Sequence, residues 1–172
     1  MPHRNLSSRR KAIGEMNAIE FLNDDNRKTR HFFRTIKKMT DEDQQQDKLT
    51  LVKQVCNDLL IHMAIEEIIF YPALREHIHQ DALLNEALVE HDCMKELIHD
   101  LDNQKNTHPM FDAKVNVLSD YIEHHVREKE NVLFPKAIDS RADLVTLGRM
   151  LAVASHQLQV EDKLAPEASE TC

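Results

Sequence analysis

The chain has 172 residues, enough for one domain with a substantial core. Its two glycines, absent tryptophan and 41% hydrophobic residues suit a helical protein. A formal net charge of −8 at pH 7 argues against nucleic acid or an anionic membrane as partner, and no apolar run reaches the roughly 18 residues of a membrane span. Cys56, Cys93 and Cys172 are odd in number and widely spaced, with no C-x-x-C pair. They point away from a disulfide framework and toward a reducing compartment, the cytoplasm.

Residues 1–14 read as a loose basic leader, 15–160 as the folded domain and 161–172 as a disordered tail. No apolar stretch follows the basic Met1–Lys11 segment, so it is not a secretory signal. A first helix is expected from Glu15 to about Lys38, with Ile19, Leu22, Asn26, Phe33 and Ile36 on one face. A second, from Asp47 to about Glu76, aligns Leu51, Val55, Leu59, His62, Glu66, Ile69 and Ala73, with a kink or break expected near Pro72. A third, Asp81 to Leu101, carries Leu84, Ala87, Leu88, His91, Met94 and Ile98. After a turn-rich connection, a fourth from Met110 to Val132 aligns Phe111, Val115, Leu118, Ile122, His125, Lys129 and Val132. A fifth, Ala142 to Leu158, is amphipathic and packs outside. The short connections predict an all-α fold, an antiparallel up-down four-helix bundle with an additional C-terminal helix.

Polar residues interrupt all four stripes: Asn26, His62 with Glu66, His91, and His125 with Lys129. His62 and Glu66 are four residues apart, about 40° round a helix, and face the same way. An inward ionisable group is costly unless paired or bound to a metal. Imidazoles and a carboxylate on facing helices are how bundles hold transition metals. Zinc in a closed site favours cysteine ligands, so iron or manganese is the better match. His62 to Pro72 and His125 to Pro135 also repeat one pattern with the same ten-residue step, except that the second copy has Lys129 in place of the carboxylate.

The spacing H-x3-E-E-x3-Y-P at 62–72, Glu90-His91, and His-His-Val-x-Glu-x-Glu-x-x-Leu-Phe-Pro at 124–135 resembles the hemerythrin-like (HHE cation-binding) family, over about residues 17 to 158. The resemblance implies a four-helix bundle around a non-haem di-iron centre, with roles in oxygen carriage, oxygen or redox sensing and iron handling. It places His62, Glu66, His91 and His125 at ligand positions. Members carry a histidine where this chain has Asn26, a bridging carboxylate where it has Lys129, and in some cases a further ligand at Lys95.

Only Glu66 then remains to bridge two dications, and Lys129 adds positive charge at the same place, supplying internally what a metal supplies elsewhere. Glu128 is the nearest substitute carboxylate. Glu67, Glu123 and Glu130 read as surface charge, with Glu67 reaching in only if the helix bulges near Pro72. Met63, Met94 and Met150 read as packing, Cys93 as a buried thiol, and Tyr71 and Phe134 as caps on the core.

The leading expectation is an iron-binding protein with a degenerate di-iron site, responding to a small diatomic ligand or an oxidant. A metal-free interaction domain held by Lys129–Glu66 pairing comes second. A metal-dependent oxidoreductase comes last, because no nucleophile, phosphate loop or cofactor fingerprint accompanies the histidines.

Overall fold

The computed structural model of the chain describes residues 16–104 and 108–164; the leader 1–14 and the tail beyond Leu164 lie outside the described residues. The first helix, α1 (Ala18–Ile36), starts three residues later than its periodicity predicts. Asn17 caps it: its side chain accepts from the Glu20 backbone N–H, and the Glu20 carboxylate accepts from the Asn17 N–H. A short 3-10 turn leads into α2 (Gln45–Ile65), which continues through a π-helical turn (Glu66–Phe70) into α3 (Tyr71–Ile78). After His79, in the left-handed conformation at φ 48°, the chain enters α4 (Asp81–Asp102). Helix α5 (Phe111–Glu128) continues through a second π-helical turn (Lys129–Leu133) into α6 (Phe134–Asp139). Helix α7 (Leu144–Leu164) completes the order, so residues 161–164, expected in the tail, are helical.

The two π-helical turns are where the chain accommodates its prolines. Pro72 and Pro135 have no N–H, and their rings clash with the carbonyl four residues back in a regular helix. The residues before them, Tyr71 and Phe134, donate instead to the carbonyls of Glu66 and Lys129, five residues back. The extra residue rotates everything beyond it. Phe70, Tyr71 and Leu74 are therefore buried in place of Ile69 and Ala73, and Leu133 and Phe134 in place of Val132.

Buried apolar side chains form two clusters. One contains Leu22, Ile65, Phe70, Leu74, Leu84, Phe134 and Leu151; the other contains Phe33, Val55, Leu59, Met94, Ile98, Phe111 and Leu118. α1 and α4 run from the first cluster to the second, and α2 and α5 run back, so the four are antiparallel. The fifth helix packs against α1 and α2 with Leu147 and Leu151 buried. A Cβ at Gly148 would stand 2.3 Å from the Met16 carbonyl oxygen, so only glycine admits this close approach. The bundle thus has its additional C-terminal helix, and no strand occurs among the described residues.

Candidate metal centre

Between the apolar clusters lies one layer of buried polar residues: Asn26, His62, Glu66, His91, His125 and Lys129. Glu66 is its hub. The Oε2 atom of Glu66 lies 3.4 Å from His91 Nε2, 3.9 Å from His125 Nε2 and 3.6 Å from His62 Nε2. The Nε2 atoms of His91 and His125 are 3.2 Å apart. The four histidine and glutamate positions expected to act together are therefore in one place.

The layer divides into two halves. On one side, Glu66, His91 and His125 offer three ligand atoms within 4.8 Å of one another. The outer nitrogen of each histidine is held by a carboxylate: His91 Nδ1 by Glu67 at 2.8 Å, and His125 Nδ1 by Glu90. A carboxylate only accepts, so each Nδ1 donates outward, and an imidazole that carries only that proton turns its Nε2 lone pair inward. Two lone pairs and a carboxylate oxygen facing one another require a cation or a proton between them. Ligands about 2.1 Å from one ion stand about 3.0 Å apart in an octahedron and about 3.4 Å apart in a tetrahedron. The His91–His125 and His91–Glu66 separations, 3.2 and 3.4 Å, match, and the His125–Glu66 separation is longer at 3.9 Å.

On the other side is Lys129, whose side chain is 3% exposed against 0% for Glu66. Its ammonium donates to Glu66 Oε1 at 2.7 Å and Oε2 at 2.9 Å, and meets His62 Nε2 at 3.3 Å. All three of its N–H bonds are used. A second dication would need these same acceptors, so the residues present fit one metal ion and not two. His62 faces Asp25 with its other nitrogen, at 3.6 Å. A cleft of about 80 Å³ lined by Asp25, Asp58, His62 and Ser155 opens here between α1, α2 and α7.

The charges reinforce this arrangement. Burial alone pushes the Glu66 carboxyl up, but the Lys129 ammonium, His62 and hydrogen bonds from His125 and His91 outweigh it and hold it well below the usual range. Burial, then the Glu66 charge, pushes the Tyr71 phenol well above its ordinary value. Partial burial pushes the Glu90 carboxyl up, but the His125 hydrogen bond and the nearby charges of His125, His124 and His91 together outweigh it and lower it.

Several expectations are corrected. Glu67 is not surface charge: the π-helical turn lets it reach His91, and Lys95 Nζ donates to it at 2.9 Å. Glu123 and Glu130 do stay at the surface, where both accept from the Arg30 guanidinium and tie α1 to α5 and the π-helical turn after it. Glu128 does not swing inward; it pairs with exposed His124. The thiol of Cys93 is exposed, while burial pushes the Cys56 thiol up to about 12. Met150 is exposed rather than packed. Asn26, 4% exposed, has an amide nitrogen with no partner among the described residues.

An up-down helical bundle with a buried histidine–carboxylate layer defines a class of cation-binding proteins. A family model described as the hemerythrin HHE cation binding domain matches residues 17–137, and the chain belongs to that family. Among solved structures, a hemerythrin HHE cation binding domain-containing protein from Mycobacterium kansasii is similar in fold. Its TM-score is 0.74 at 23% identity, covering 90% of this chain and 95% of that one. A search of curated proteins gave no match. No helix among the described residues is long and apolar enough to cross a membrane.

Proposed function

We propose that the protein holds one non-haem iron ion on Glu66, His91 and His125, with Lys129 as a permanent second cation. Its role is to sense or bind a small diatomic ligand or an oxidant in the cytoplasm, without turnover. The observation that carries this reading is the pair of carboxylate-oriented histidines aimed with Glu66 at one point, beside an ammonium that has used every donor it has. Two imidazoles and one carboxylate form the donor set of non-haem iron sites with open positions. Iron bound there supplies an open coordination position and a redox couple. The chain's own residues fix the imidazole orientation through Glu67 and Glu90, neutralise Glu66 through Lys129, and keep bulk water from the layer with the two apolar clusters. Nucleic acid and membrane surfaces are not partners in this reading, given the net charge of −8.

Elemental analysis of the purified protein should find iron, with a visible spectrum that changes on adding nitric oxide or peroxide. A second reading, a metal-free interaction domain, is favoured by the Lys129–Glu66 pair alone. It predicts no bound metal after reconstitution with ferrous or ferric iron.

A further inference from the structure

The two halves of the bundle repeat one pattern. His62, Glu66, Tyr71 and Pro72 match His125, Lys129, Phe134 and Pro135, at the same steps of four, five and one residues. Each copy has its π-helical turn between the charged residue and the aromatic ring. Both rings are buried, and in the first copy the ring's hydroxyl reaches the charged side chain, Tyr71 donating to Glu66. Position 134 is filled by a bare phenyl, so packing at this place requires no hydroxyl. Tyr71 adds one, and it lies 3.1 Å from Glu66 Oε2 and 3.4 Å from His91 Nε2. The first is a hydrogen bond donated to Glu66, and both distances are close to the shorter two of the triad's own, 3.2, 3.4 and 3.9 Å. Four ligand atoms around one first-row ion stand about 3.4 Å apart in a tetrahedron.

We infer that Tyr71 is itself a metal ligand, its phenolate oxygen joining Glu66, His91 and His125 around a single ferric ion. The inference rests on the one-metal reading and adds a second anionic oxygen to it. On binding, an oxygen–iron bond forms, the phenol proton leaves to solvent and no electron moves. A cation at the centre offsets the Glu66 charge that otherwise keeps the phenol protonated, and ligand deprotonation makes metal uptake release protons. The Glu66 carboxylate and the phenolate set two negative charges against the ferric ion and Lys129, and the Glu67 and Glu90 carboxylates behind the histidines add two more.

The chain has two tyrosines, and the other, Tyr121, is half exposed and outside the layer, so the test is clean. Metal-free protein is loaded with ferric iron and read by metal analysis, visible absorption and resonance Raman. The parent and Tyr121→Phe should show a phenolate-to-iron charge-transfer band and phenolate ring modes; Tyr71→Phe should lose both while retaining iron. Iron bound by the parent without the band, or a band that survives in Tyr71→Phe, overturns the ligand and leaves the one-metal site standing. No iron in the parent removes both. If Tyr71→Phe does not fold, ring-deuterated tyrosine in Tyr121→Phe keeps the question open to measurement: its Raman modes shift only if Tyr71 binds the iron.

Discussion

Replacing Lys129 by methionine tests the reading of that lysine as a resident cation. Its ammonium reaches both oxygens of Glu66, at 2.7 and 2.9 Å, and His62 at 3.3 Å, in a layer closed to solvent. Lys129→Met leaves Glu66 buried without its main counter-charge, and removing one partner of a buried pair costs about 3–5 kcal/mol. At about 2–4 °C per kcal/mol for a chain of this size, the metal-free protein should melt roughly 6–20 °C lower at pH 7. The pH dependence has a definite sign. In the parent the Glu66 carboxyl is held well below its ordinary 4.5. Its contribution is therefore fully present above that value and lost as pH falls through the folded-state value. Without the ammonium, burial moves the folded value up, so the deficit of Lys129→Met should shrink as pH is lowered toward 5. Adding Glu66→Gln should recover most of the loss at pH 7, since the buried charge is then gone. Thermal unfolding of the three proteins with chelator present, at pH 7 and 5, reads all of this. A Lys129→Met protein as stable as the parent at pH 7, or a double variant no better than the single, would refute the reasoning.

Further outcomes follow from the same geometry. Lys129→Glu combined with Asn26→His supplies a bridging carboxylate and a terminal imidazole, and should raise bound metal toward two per chain; a folded double variant that stays at one counts against those slots. Glu67→Gln and Glu90→Gln remove the carboxylates that orient His91 and His125, and each should weaken metal affinity about 10–100-fold in chelator competition. Unchanged affinity in both would mean that the outer hydrogen bonds do not set the ligands. Gly148→Ala places a methyl 2.3 Å from the Met16 carbonyl oxygen. Overpacking of about 1–3 kcal/mol should exceed the roughly 1 kcal/mol that alanine gains in a helix, so urea unfolding should show a lower midpoint.

The polar layer was legible in the sequence because a period of 3.6 residues puts Asn26, His62, Glu66, His91, His125 and Lys129 on apolar stripes, and burial followed for each. The same periodicity failed beyond Glu66 and Lys129. It assumes a regular helix, whereas each proline forces a five-residue turn that exchanges Ile69 and Val132 for Phe70 and Leu133 in the core. The signal was present as two copies of a charged residue followed five and six positions on by an aromatic residue and proline. Glu67 could be placed only conditionally, on a bulge near Pro72, and Glu90 not at all: they sit beside the stripes and meet their histidines across helices, 24 and 35 residues away. The Asn17–Glu20 capping box is local and readable, and it sets the true start of α1. The Tyr71 hydroxyl was taken as packing because a single sequence does not reveal what a buried phenol faces.

The central claim is that the ammonium of Lys129 holds the second cation position of this layer, leaving room for one metal ion. Anaerobic titration of the metal-free parent with ferrous iron, followed by desalting and elemental analysis, tests it most directly. The account predicts an end point at one iron per chain, lost in Glu66→Gln. Two irons per chain in the parent would contradict it.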